Sequence, residues 1–74
     1  MGYDYRLLDG KIVTNFGTRK RFAAAMMMSE HSLSNKMSGK IPWKQIEMEK
    51  ACSLLGIDKN EIGIYFFDLK VQTA

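Results

Sequence analysis

Three glycines divide this chain into segments whose length and hydrophobic spacing fit short α-helices. Gly17, Gly39 and Gly56 each follow a run in which apolar residues recur three and four positions apart. Glycine in that place is typical of a helix C-terminus, because it adopts the left-handed conformation there without a steric penalty. The spacing predicts an all-α bundle of about five short helices. We expect one domain over residues 1–74.

Residues suited to begin a helix stand before each of the first four predicted helices. Asp4, Thr18 and Ser29 carry side-chain oxygens that can accept a backbone hydrogen bond at the start of the first three helices. Pro42 suits the entrance of a fourth helix over residues 43–55. The first, third and fourth predicted helices therefore have both a start signal and a stop signal.

The C-terminal segment is open to two interpretations. Asp58 and Glu61 form a capping-box pattern ahead of apolar residues at helical spacing, which predicts a fifth helix. Residues 62–71 are also rich in β-branched and aromatic side chains, as a strand would be. The segment has more aromatic side chains than one buried face of a helix can hold, so Ile64 and Phe67 are predicted to be exposed. They either cover the bundle or form a protein interface.

Several classes of function are disfavoured by composition. The single cysteine, Cys52, falls in an apolar repeat and has no disulfide partner, which is compatible with a reducing cytoplasm. No apolar run is long enough to span a membrane. One histidine and one cysteine do not complete a usual metal site, and no glycine-rich phosphate loop is present. We expect no enzymatic activity, cofactor, metal or small-molecule substrate. Trp43, beside a proline at a helix entrance, is interpreted as a core residue.

Positive charge is concentrated in the first two thirds of the chain. The net charge is +3 overall, but residues 1–22 carry +3, residues 23–44 carry +2 and residues 45–74 carry −2. A basic region of this kind favours contact with a polyanion, although basic proteins that bind no nucleic acid also exist.

The order of the second and third helices is that of a helix-turn-helix. A short turn over Met26–Ser29 joins them, which places the motif at about 18–39 and its second, recognition helix at about 29–38. On a helical wheel Leu33 and Met37 lie on one side of that recognition helix. Short polar side chains occupy the other side, namely His31, Ser34, Asn35 and Ser38, with Glu30 at the entrance.

Such a polar face suits contact with the base edges of DNA. Asparagine can pair bidentately with adenine, serine can donate or accept, and Glu30 could accept from cytosine. Cations surround this face, where phosphates would run in a helix-turn-helix complex. The predicted phosphate contacts are Thr18, Arg19, Lys20, Arg21, Lys36, Lys40 and Lys44. The alternative is an ordinary solvated surface on a helical bundle.

The sequence also resembles a known group of phage proteins. The resemblance runs across nearly the whole chain and is carried by Phe22-Ala23, Ser29-Glu30, Leu33-Ser34, Lys36-Met37-Ser38-Gly39-Lys40, Pro42-Trp43-Lys44-Gln45, Glu47, Lys50-Ala51, Leu54-Leu55, Glu61-Ile62-Gly63 and Tyr65-Phe66-Phe67. These strings are similar to the small phage and prophage helix-turn-helix proteins related to Cro and the lambda-type repressors. They are also similar to the Cro-like and modulator-of-repression (antirepressor) proteins of temperate phages from Gram-positive hosts.

The resemblance implies a lambda-repressor-like helix-turn-helix fold and a role in the lysis-lysogeny switch, in the cytoplasm of a bacterial host. Within the family pattern the start and middle of the recognition helix read bases, which here are Glu30, His31, Ser32 and Asn35. Two functions stay open. One is a Cro-like repressor that binds double-stranded operator DNA as a homodimer, on half-sites about 34 Å apart. The other is an antirepressor that binds the phage repressor protein.

The turn between the second and third helices departs from the family pattern. Many relatives have glycine where this chain has Met27. If the turn needs positive φ, a methionine there costs about 1 kcal/mol, and Met27→Gly is predicted to stabilise the fold by a similar amount. Met26, Met27 and Met28 could alternatively form an apolar patch that binds another protein.

Overall fold

The computed structural model describes residues 2–68, and its regular elements there are all helical. The elements are α1 (Arg6–Phe16), α2 (Arg19–Ala25), α3 (Glu30–Met37), α4 (Gln45–Leu55), a one-turn 3-10 helix (Lys59–Glu61) and α5 (Ile62–Phe66). The predicted all-α bundle of five short helices is confirmed. Within the described part of the chain no helix is long and apolar enough to cross a membrane.

Two of the predicted N-caps are confirmed by hydrogen bonds. The Thr18 hydroxyl accepts from the amide of Arg21 at 3.2 Å, and the Ser29 hydroxyl accepts from the amide of Ser32 at 3.0 Å. Each bond satisfies one of the amides that a helix leaves unpaired in its first turn. These caps fix the points at which α2 and α3 begin.

The starts of α1 and α4 differ from prediction. Asp4 does not occupy the cap position of α1, which Tyr5 holds, although its carboxylate accepts from the amide of Arg6 at 3.0 Å. Helix α4 begins at Gln45 rather than at residue 43, because the amide of Lys44 donates to the Glu47 carboxylate at 2.9 Å. Pro42 therefore precedes the helix instead of opening it.

The C-terminal segment is helical from Ile62 to Phe66, which decides between helix and strand for that part. The Asp58 carboxylate accepts from the amide of Asn60 at 3.0 Å, so it caps the 3-10 turn ahead of α5. Of the predicted segment 62–71, residues 69–71 lie outside the described part.

In the described part of the chain four residues adopt positive φ, three at helix ends and one in a turn. Gly17 and Gly39 have φ of +83° and Gly56 has +67°, as their positions after apolar runs predicted. Met27, in the turn between α2 and α3, has φ of +60° and is the one non-glycine residue of this kind within residues 2–68. The prediction that this turn needs positive φ is confirmed.

One hydrophobic core joins all five helices. Its fully buried large side chains are Leu8, Ile12, Phe22, Leu33 and Phe66. Trp43 is buried as predicted and meets the Phe66 ring edge-on, with centroids 5.1 Å apart. Within residues 2–68 the buried indole N–H of Trp43 has no hydrogen-bond partner. Cys52 also lies in the core, and its burial raises the pKa of its thiol.

Candidate functional site

The turn between α2 and α3 sets the position of the surface predicted to bind DNA. The amides of Met27 and Met28 donate to the carbonyls of Ala24 and Ala23, each at 3.0 Å. Phe22 and Leu33, one from each helix, are fully buried. Because both helices are anchored in the same core, the outward face of α3 is presented on a rigid support.

The outward face of α3 is polar. Glu30, His31 and Ser34 are exposed, as is Ser38 just beyond the helix, while Ser32 and Asn35 are half-buried. The Ser32 hydroxyl accepts from the Ser29 hydroxyl at 3.0 Å, and the Ser38 hydroxyl donates to the Asn35 carbonyl at 3.1 Å. No hydrogen bond within residues 2–68 engages the side chains of His31, Ser34 and Asn35, so these three are available to a partner.

Exposed cations flank this face on two sides. Lys20 and Arg21 lie on α2, and Lys40 and Lys44 lie in the loop between α3 and α4. None of the four forms an ion pair within residues 2–68. Arg19 is different, because its guanidinium contacts the Asp9 carboxylate at 2.7 Å. We refer to the outward face of α3 with Lys20, Arg21, Lys40 and Lys44 as the α2–α3 face.

Lys36 does not belong to that face, which corrects its prediction as a phosphate contact. Its side chain is 7% exposed, and its ammonium lies 2.9 Å from the Glu47 carboxylate and 3.3 Å from the Pro42 carbonyl. The lysine therefore joins α3, the following loop and the first turn of α4. Sequence reasoning missed this contact because the partner carboxylate comes from another helix.

The pKa of Glu47 reflects the same contacts. Burial on its own would raise this pKa, but the hydrogen bonds from the Lys36 ammonium and the Lys44 amide, together with the charge of both lysines, hold it below its ordinary value. Glu47 is thus a stable carboxylate that fixes the start of α4. Its role is to position the loop that carries Lys40 and Lys44.

The predicted exposure of two residues in the last helical segment is confirmed. Ile64 is 51% and Phe67 48% exposed. The ring of Phe67 meets the edge of Tyr3 with centroids 5.8 Å apart. Beside them opens a cleft of about 360 Å³ whose lining includes Ile41, Pro42 and Trp43.

A second apolar region lies on α4, and sequence reasoning did not single it out. Ile46 is 73% exposed, and a groove of about 650 Å³ runs between α4 and the segment that contains the 3-10 turn and α5. The groove is lined by Gln45, Met48, Glu49, Cys52, Ser53, Ile57, Lys59 and Ile62. The outward position of Ile46 could have been read from helical periodicity, whereas the groove depends on how the last two elements pack.

Within residues 2–68 no cluster of three or more histidine, cysteine or acidic side chains is arranged to hold a metal ion.

Comparison with known proteins identifies the family. Residues 1–69 match the model of a family described as a protein of unknown function (DUF739). The solution structure of the modulator of repression (MOR) of the temperate bacteriophage TP901-1 from Lactococcus lactis is 43% identical to this chain. The match covers 97% of both chains with a TM-score of 0.81. No curated protein matches significantly. The chain therefore belongs to the DUF739 family.

Proposed function

We propose that this chain is a phage regulatory protein that modulates a repressor by binding it, in the manner of an antirepressor. The observation that carries the proposal is the similarity to the phage TP901-1 modulator of repression, at 43% identity over 97% of both chains. At that identity and coverage the two proteins share the whole domain rather than one motif. The chain would act in the cytoplasm of its bacterial host, by binding rather than by catalysis.

The surface of the molecule supports a protein partner. Ile46, Met27 and Leu7 are 73%, 86% and 54% exposed although they are large and apolar. Scattered apolar residues are normal on a protein surface, but a chain of this size gains little from exposing many of them. A protein partner would remove such residues from water.

Size-exclusion chromatography with light scattering tests this function. The purified chain is mixed with the repressor encoded beside it, in the absence of DNA. We expect a stable complex whose mass is the sum of the two proteins, and the chain run alone reports whether it is a homodimer. Unshifted elution of both proteins at micromolar concentration would refute the proposal.

A second candidate function, operator binding in the manner of Cro, is favoured by the α2–α3 face. Helices α2 and α3 would then form a helix-turn-helix in which Glu30, His31, Ser32, Ser34, Asn35 and Ser38 face the bases. The exposed cations Lys20, Arg21, Lys40 and Lys44 would bind phosphates, with further contacts from Thr18 and Arg19. This face has the charge and the short polar side chains that such contacts need.

Operator binding has its own test in a fluorescence anisotropy titration with DNA from the switch region. Asn35→Ala is expected to relax base preference at one position, because the amide would no longer pair with a base. Lys40→Ala is expected to weaken binding to all sequences. It should also reduce the slope of log Kd against log salt concentration by about one. Binding that neither substitution alters at low salt would exclude direct reading by α3.

A further inference from the structure

Arg19, one of the predicted phosphate contacts, is bound by a carboxylate from α1. Its Nε donates to the Asp9 carboxylate at 2.7 Å. Arg19 is the first residue of α2, and Cβ bonds in a helix tilt toward its N-terminus, so the side chain projects beyond the helix end. In a helix-turn-helix complex the first helix crosses the DNA backbone, so a phosphate and Asp9 would compete for this guanidinium.

The ion pair between Arg19 and Asp9 is open to exchange. The two side chains are 41% and 38% exposed, whereas those of Lys36 and Glu47 are 7% and 20% exposed. An ion pair in contact with water contributes little to stability and is weakened by salt. A guanidinium binds carboxylates and phosphates with the same N–H donors. Arg19 can therefore exchange Asp9 for a phosphate while the fold stays intact.

Asp9 changes the charge that this end of α2 offers to DNA. Arg19 begins a run of three cations, of which Lys20 and Arg21 form no ion pair within residues 2–68. Binding to phosphates releases counterions, and each neutralised phosphate contributes about 0.9 to the slope of log affinity against log salt concentration. To contact a phosphate, Arg19 must first give up a carboxylate that stays beside it. The contact therefore gains less than an unpaired arginine would gain.

We propose that Asp9 is a specificity-determining residue that lowers the affinity of the chain for DNA by holding Arg19. Discrimination between partners often depends on an element that disfavours the wrong partner as well as on contacts to the right one. Here the disfavoured partner is duplex DNA of any sequence, because the group that competes for Arg19 is a phosphate. In a cell with an excess of DNA, this selection leaves more of the chain free for a protein partner. The inference goes beyond the proposed function, since it concerns what the chain rejects.

Binding to duplex DNA of arbitrary sequence tests the assignment. Fluorescence anisotropy of a labelled duplex is measured for the wild type, Asp9→Ala and Glu49→Ala between about 50 and 200 mM salt. Glu49 is the matched control, because it is an exposed helical carboxylate that forms no ion pair within residues 2–68. Asp9→Ala is expected to lower Kd by about fivefold at the lowest salt and to increase the slope of log Kd against log salt concentration by about one. The control should change Kd by less than about twofold, since salt screens a distant charge.

A double-mutant cycle determines whether the gain comes through Arg19. Arg19→Gln and Asp9→Ala/Arg19→Gln are measured in the same way, and the thermal midpoint of each variant verifies folding. The gain of Asp9→Ala is expected to disappear in the double variant, because glutamine brings no charge to a phosphate. An unchanged Kd for Asp9→Ala, an equal gain for Glu49→Ala, or a gain that survives in the double variant would overturn the inference. None of these results bears on repressor binding, which size-exclusion chromatography tests separately.

Discussion

Met27→Gly is predicted to stabilise the domain, because the native turn holds a non-glycine residue at φ of +60°. Left-handed backbone costs an L-residue about 1–2 kcal/mol, and glycine avoids this cost. The greater freedom of glycine in the unfolded chain opposes the gain by about 0.4–1 kcal/mol. Since the Met27 side chain is 86% exposed, its removal forfeits little buried surface. The net gain is about 0.5–1 kcal/mol.

The assay is thermal and urea unfolding followed by circular dichroism. For a domain of this size the gain corresponds to a rise in Tm of about 3–6 °C, with a higher urea midpoint and an unchanged m value. Met27→Ala is the matched control, because it shortens the side chain but keeps the Cβ that causes the strain. Met27→Asn should fall between the two, since asparagine tolerates this conformation better than methionine. A lower Tm for the glycine variant, or an equal rise for the alanine variant, would refute the reasoning.

Three further substitutions test separate parts of the fold. Gly10→Ala should stabilise α1 by about 0.5–1 kcal/mol, since a Cβ there meets no atom within 4 Å; a lower Tm would contradict this. Lys36→Met should lower the free energy of unfolding by about 2 kcal/mol, which lies between the values typical of losing an exposed and a buried ion pair. The control Lys40→Met should leave the urea midpoint nearly unchanged, and an equal loss in both variants would contradict the role of the Lys36 ion pair. Folding lowers the pKa of the Glu47 carboxyl group. The stability that the ionised carboxylate contributes is therefore fully present at pH values above its pKa in the unfolded chain, and it is lost as the pH falls through its pKa in the folded chain. Urea titrations should therefore show that Glu47→Gln has a lower free energy of unfolding than the wild type, and that this difference shrinks between about pH 5 and pH 3. A difference that stays constant over this range would be inconsistent with the ion pair.

Local signals in the sequence were sufficient for much of the fold. The caps at Thr18 and Ser29 and the helix ends at Gly17, Gly39 and Gly56 each depend on a residue and its near neighbours. Such features follow from backbone geometry and do not require knowledge of the tertiary structure. The positive φ at Met27 was expected instead from the family resemblance, because many relatives have glycine at that position.

Features that depend on contacts between distant residues were not predictable in this way. Lys36 was expected to be exposed because of its charge, although it lies only about 60° from Leu33 around the helix; the fold brings it to Glu47 and buries it. A second contact of Glu47 explains why α4 begins later than its proline suggested, because the Glu47 carboxylate accepts from the Lys44 amide and caps the helix from its first turn. The groove beside α4 likewise arises only when Ile57 and Ile62 pack against that helix.

The effect of this chain on repressor–operator affinity tests the central claim most directly. Labelled operator DNA is titrated with repressor by fluorescence anisotropy, with and without a saturating concentration of the chain. Linkage requires that a chain which binds the repressor and alters its DNA-reading surface shifts the apparent Kd for the operator. We predict a shift of at least about tenfold, with the chain alone causing no anisotropy change at the same concentration. An unchanged repressor–operator Kd, together with direct binding of the chain to the operator, would contradict the account and favour a Cro-like repressor.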